Sequence, residues 1–217
     1  MIKSQEAVSI VIAAIIFTFV VVFRKIFTGN LTSGFIISAL LICFFILIIN
    51  IFAKKIVARY YDISIEHKIL GWQRYGIYKR SYFPVSLPAG VILPFILSII
   101  SIGYFLFLTF LQFEVTPLLS KVKKAVGLYR FSEVTEGEIE WIAAWGIIIT
   151  LLASIIAYII GGETLILFAK LSIYYAFWNI IPLGNLDGTK IFFGNIITWI
   201  VLAIICLIAL GYAVLLV

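Results

Sequence analysis

The chain has 217 residues, of which 64% are hydrophobic and only 12% charged, and its mean hydropathy is +1.22. A water-soluble domain of this size cannot hide that much apolar surface, so composition excludes an ordinary soluble globule and points to a polytopic membrane protein. Sixteen basic against ten acidic residues leave a net charge of +6. The excess lies in loops, where it suits an anionic lipid surface, and no dense basic face or RNA-binding motif makes nucleic acid a partner.

Six hydrophobic segments follow one another, each near or above the ~20 residues that cross the hydrocarbon. Residues 7–27 end at Arg24 and Lys25 and lack a small-x-small cleavage site, so they read as a retained first span rather than a signal peptide. Residues 33–53 form the second. Residues 84–113 form the third and carry Pro84, Pro88, Gly90, Pro94 and Gly103, which makes a re-entrant or bent hairpin the favoured reading. Residues 141–160 form the fourth and stop at Gly161-Gly162; residues 164–181, interrupted by Lys170, form the fifth; residues 195–217 form the sixth.

Between them, residues 54–83 are basic and aromatic. Their apolar–polar alternation over 60–70 predicts a membrane-surface strand. Residues 128–134 alternate in the same way before Thr135-Glu136-Gly137, which reads as an edge strand and turn. Trp72, Tyr75, Tyr78, Tyr82, Trp141 and Trp145 sit near span ends, as an aromatic belt requires. The expected fold is therefore an all-α polytopic membrane protein. It is a single domain over 1–217 with five or six transmembrane helices and short interfacial strands. Basic residues divide almost evenly between the two sides of a six-span arrangement; the cluster within 54–80 mildly favours a cytoplasmic loop there.

Residues 179–188 stand out: Asn179-Ile180-Ile181-Pro182-Leu183-Gly184-Asn185-Leu186-Asp187-Gly188. An acid at the end of a long apolar run is a functional-site hypothesis. Pro182 removes a backbone donor and breaks the fifth helix, and Gly184 and Gly188 permit unwound backbone, so the stretch is expected to line an interior cavity. The alternative is a wet surface turn at the start of the sixth span. The two cysteines, Cys43 and Cys206, sit inside apolar runs as small hydrophobes.

The pattern N-x-x-P-x-x-x-L-D-G resembles the third-ligand motif of the site-2 protease family of intramembrane zinc metalloproteases. Two further stretches extend the resemblance to a core over about 33–195. Asn50-Ile51-Phe52-Ala53-Lys54-Lys55-Ile56-Val57-Ala58-Arg59-Tyr60-Tyr61 is similar to the run H-E-L-A-H-K-x-V-A-R-x-Y of small archaeal-type members. Gly137-Glu138-Ile139-Glu140-Trp141-Ile142-Ala143-Ala144-Trp145-Gly146 stands where they carry G-x-I-x-x-A-G-P, without the proline. The family uses two histidines and an aspartate to hold zinc and a glutamate to activate water.

At those positions this chain has Asn50 and Lys54 for the histidines and Ile51 for the base; Asp187 alone keeps its ligand type. Isoleucine has no lone pair, and an ammonium repels zinc. The chain's single histidine, His67, is thirteen residues past Lys54 and reads as a surface residue or a support behind the site. The resemblance therefore implies no catalytic residues and no cofactor, with the family's zinc ligands lost, and a Lys54–Asp187 ion pair in place of the metal.

Three functions stay open. One is an inactive pseudoprotease that binds membrane helices or partner proteins. Another is an active intramembrane metalloprotease with an altered site. The third is a small transporter or channel subunit using Asp187, Lys170 and the broken fifth helix. Membrane lipids and transmembrane helices of other proteins are the expected partners.

Overall fold

A computed structural model of the chain describes residues 4–29, 31–74, 82–118 and 134–215. Among them lie seven helices: α1 (Ser4–Phe27), α2 (Ser33–Tyr60), α3 (Ala89–Ile100), α4 (Glu136–Ile160), α5 (Glu163–Ile180), α6 (Asp187–Gly194) and α7 (Ile196–Leu215). Four strands accompany them: β1 (Ile63–Ile69), β2 (Trp72–Arg74), β3 (Tyr82–Leu87) and β4 (Leu111–Pro117). Four helices, α1, α2, α4 and α7, are long and apolar enough to cross a membrane by length and composition. The expectation of five or six spanning helices is thus met only in its coarser form, a mostly helical chain with four such helices.

The largest departure lies in residues 84–113. A twelve-residue helix rises only ~18 Å, against the ~30 Å of a hydrocarbon core. α3 is that short, contains Pro94, and is followed by Ile102 and Gly103 at φ 53° and 76°. The chain then turns back and runs extended into β4. The proline and glycine content that favoured a bend over a straight span has this local basis.

Other boundaries shift for simpler reasons. α2 continues to Tyr60, past the expected end at 53, because Lys54 and Lys55 end the apolar run without ending the helix. α4 begins at Glu136, not 141. Thr135 caps it: its Oγ1 accepts from the Glu138 N–H (3.4 Å) and the Glu138 carboxylate accepts from the Thr135 N–H (3.0 Å). Thr135-Glu136-Gly137 is therefore a helix start and not the expected turn. Residues 128–133 of the expected edge strand, and Tyr75 and Tyr78, lie outside the described residues. Trp72, Trp141 and Trp145 are exposed, as a belt position needs.

The chain divides into two compact units, residues 1–44 with 67–112 and residues 45–66 with 113–217. In the first, α1 packs on α3, with Phe19 stacked on Phe95 (5.0 Å between centroids) and Phe17 against Phe110 (5.1 Å). Gly90 lies against the Phe110 carbonyl, where any Cβ would collide, and its N–H donates to the Leu70 carbonyl (3.0 Å). β2 pairs antiparallel with β3, Trp72 opposite Leu87.

In the second unit α4 is the central helix, packed on α5 and α6, with α7 against both of the latter. Ile142, Ala143, Ala144 and Ile147 of α4 are wholly buried in a core shared with Ile173, Ala176, Ile180, Ile191 and Leu202. Ala143 and Ala144 lie four and three residues before Ile147 on one face, and the burial of the adjacent Ile142 shows that α4 is covered over more than a single stripe. The N-terminal part of β1 meets the C-terminal part of β4 here: the Leu118 N–H donates to the Asp62 carbonyl (3.1 Å) and Thr116 Oγ1 to the Ser64 carbonyl (3.3 Å).

Candidate functional site

The site is built by α2 from residue 45 on, by α4 and α6, and by the bend between α5 and α6, all within the second unit. α5 stops at Ile180 because Pro182 follows: Ile181 is forced to extended backbone (φ −67°, ψ 129°). Gly184 then takes a left-handed φ of 57°, and the chain re-enters a helix at Asp187. The freed Ile180 carbonyl accepts from Trp199 Nε1 (2.9 Å), which keeps the bend from stranding a backbone acceptor. Gly188 is required by contact: a Cβ there would run into the Ile180 carbonyl and lie 2.8 Å from the Ile181 carbonyl carbon. α6 therefore packs hard on the end of α5, and Leu186 and Asp187, 2% and 1% exposed, are carried into the interior.

α2 supplies the opposite wall. Asn50 and Lys54 are one turn apart on one face and are both buried, with Ile51 beside them. Lys54 Nζ donates to Asp187 Oδ2 at 2.6 Å, and both side chains are at most 4% exposed. The wet-turn alternative for Asp187 is excluded by that burial, and so is a Lys54 reaching out to the interface beside Lys55. Asn50 Nδ2 donates to Thr150 Oγ1 (3.2 Å), which itself donates to the Gly146 carbonyl (2.8 Å). Asn50 Oδ1 is buried with no hydrogen-bond partner. Asn179 is buried, and its Nδ2 donates to the Tyr175 carbonyl one turn back in α5 (2.7 Å).

Three participants were not singled out from sequence. Gly146 of α4 makes room for Lys54: a Cβ would strike Lys54 Cε and approach Asn50 Nδ2 to 3.2 Å. Phe113, at β4, lies with its ring centroid 5.3 Å from Lys54 Nζ and 3.1 Å from Lys190 Nζ. Lys190 of α6, one turn past Asp187, also donates to the Phe113 carbonyl. Burial, the largest cause, lowers the Lys190 ammonium from 10.5 to about 7; Lys54 adds to the shift, while Asp187 and Glu114 oppose it. Two of them had a signal: Gly146 as the last residue of the stretch matched to the fourth span, and Lys190 in Thr189-Lys190-Ile191-Phe192, which follows Leu186-Asp187-Gly188 and resembles the family's S-K-x-F.

His67 is neither on the surface nor part of this site. It belongs to the first unit, 2% exposed, with Nδ1 3.0 Å from Glu6 Oε1 and its backbone N–H on the same oxygen (3.2 Å).

The donor set does not suit zinc. The positions that would carry ligands offer an amide, an ammonium already bonded to the one carboxylate, and that carboxylate. Paired in this way, Lys54 has no lone pair to give, and Ile51 cannot accept a proton from water. Among the described residues no three His, Cys, Asp or Glu side chains converge as a ligand group. What the arrangement does is join α2 to α6 through a buried charge pair and α2 to α4 through the Asn50–Thr150 hydrogen bond. No family model matches the chain, and comparison with curated proteins and with solved structures returns no match.

Proposed function

We propose that this chain is a multi-pass integral membrane protein of the site-2-protease kind in which an ion pair stands in place of the catalytic metal. It is a pseudoprotease that binds membrane helices or partner proteins without cutting them. One observation carries the reading: the buried 2.6 Å contact between Lys54 and Asp187, the position of a lost ligand joined to the position of the surviving one. An isolated carboxylate at such a site would be costly. A cation delivered from the neighbouring helix offsets that cost as a metal would, but brings no Lewis acidity and no activated water.

Restoration of the metal tests it. The triple variant Asn50→His, Ile51→Glu, Lys54→His rebuilds the family's ligand pattern on α2. It is expected to take up about one zinc per chain, with uptake abolished by adding Asp187→Ala. A triple variant that keeps its thermal transition yet takes up no zinc through Asp187 removes the kinship. Cleavage of a transmembrane peptide by the unaltered chain, lost in Asp187→Ala, replaces the pseudoprotease with the altered-site enzyme.

A further inference from the structure

Three contacts fix how α5 lies among its neighbours. Ser154 Oγ of α4 donates to the Ala169 carbonyl (3.0 Å), Trp199 Nε1 of α7 donates to the Ile180 carbonyl (2.9 Å), and the Tyr212 hydroxyl of α7 donates to that of Tyr158 on α4 (2.6 Å). The last turns of α4 and α7 therefore lie together, and α7 starts beside the end of α5. α5 runs back alongside two helices that are each long and apolar enough to cross a membrane. Its 18 residues rise ~27 Å, close to the ~30 Å of a hydrocarbon core.

Lys170 stands within that length, next to the residue whose carbonyl is bonded to α4. It is half-buried, and among the described residues it takes part in no hydrogen bond, ion pair or ring contact. Among the helices of its unit no acid is placed to meet it. Glu136, Glu138 and Glu140 lie in the first turns of α4, with Glu140 about 21 Å along the axis from Ser154. Asp187 is held by Lys54, and α7 carries no charged residue. Glu163 shares the side of α5 on which Lys170 stands, but it is two turns away, ~10 Å, and forms no ion pair with it. A lysine inside an apolar layer is costly unless an opposite charge meets it, and it marks a site whose partner has to be named.

The face that carries it suits helix packing. Leu167, Lys170, Tyr174 and Phe177 follow at three- and four-residue spacing on one side of α5, opposite the buried Ser172, Ala176 and Asn179. All four are half-buried, whereas Ile197 and Ile208 on the outer side of α7 are each 69% exposed. The stripe on α5 is thus recessed where α7 is open. We propose that it is the docking face for one transmembrane helix of another protein, a helix that carries a carboxylate at the depth of Lys170. Leu167, Tyr174 and Phe177 pack along that helix, and its acid supplies the charge that this chain does not. A lipid phosphate at the near end of α5 offers the same charge, but it makes no use of Tyr174 and Phe177, which extend the stripe one and two turns deeper. The face rests on the packing of α5 and not on the protease kinship, which zinc uptake by the rebuilt α2 reads separately.

Energy transfer in liposomes tests it. The labelled full chain is mixed with three synthetic transmembrane helices of leucine and alanine that differ at one central position, Glu, Gln or Lys. The Glu helix is expected to associate about five- to tenfold more tightly than the Gln helix, and the Lys helix least of all. Lys170→Gln should remove the preference, and Lys170→Glu should transfer it to the Lys helix. The series on the unaltered chain stands whether or not a variant folds. Equal association of the Glu and Gln helices, or a Glu preference that survives in Lys170→Gln, overturns the assignment. Phosphatidylglycerol that raises the melting temperature of the unaltered chain but not of Lys170→Gln, with no preference for the Glu helix, overturns it in favour of a lipid headgroup.

Discussion

Among the described residues a buried acid–base pair stands in each unit, and in both the acid is in the first turn of a helix: Glu6 of α1 against His67, Asp187 of α6 against Lys54. A helix N-terminus favours either carboxylate. The partners differ. Glu6 Oε1 is met by the His67 backbone N–H as well as by Nδ1, so one contact remains whatever charge the imidazole carries. Asp187 meets an ammonium, which leaves no such reserve. Loss of the acid would strand a full charge among apolar helices. The first pair is a hydrogen-bonded tie; the second is an electrostatic lock.

Isosteric substitutions separate the two. Asp187→Asn leaves Lys54 buried and uncompensated and is expected to cost about 3–5 kcal/mol, measured as loss of thermal stability in micelles. Next in size is Gly146→Val, which pushes a side chain into Lys54 and should cost about 1–3 kcal/mol. That loss should shrink when Lys54→Ala is added; persistence would show that Gly146 serves another contact. Glu6→Gln keeps an acceptor for His67 and should cost about 1 kcal/mol. A Glu6→Gln loss as large as that of Asp187→Asn would erase the distinction between tie and lock.

A last prediction concerns pH. Lys190 titrates near 7 when folded and near 10.5 when unfolded, so the unfolded chain binds more protons between those values. Stability should therefore rise with pH from about 7 to 9, the penalty of the buried ammonium being fully present below 7. Lys190→Gln should flatten the rise, as followed by melting temperature across that window.

Much of this was legible in the residues. Hydropathy located α1, the start of α2, the end of α4 and α7, and the spacing around Pro182 and Asp187 located the bend that carries the acid. Lys54 could be named as the partner because the resemblance placed two remote stretches together. What stayed hidden depends on approach between residues that no local pattern links. Gly146 reads as an ordinary small residue until Lys54 lies across it, and Phe113 reads as one more apolar residue until two ammonium groups meet its ring. Glu140 sits among the acids at the start of α4, and only packing against Gly194 shows that it is buried. The start of α4 was present in sequence as Thr135 and Glu138, a capping box, but its glycine resembled a turn.

A double-mutant cycle on Lys54 and Asp187 tests the lock most directly. With Lys54→Met and Asp187→Leu made singly and together, each single change should be strongly destabilising, and the pair should regain most of the loss, because two apolar side chains strand no charge. The coupling should be at least about 2 kcal/mol. Losses that add to within about 0.5 kcal/mol would mean that the two side chains do not sense each other and that no charge pair locks α2 to α6.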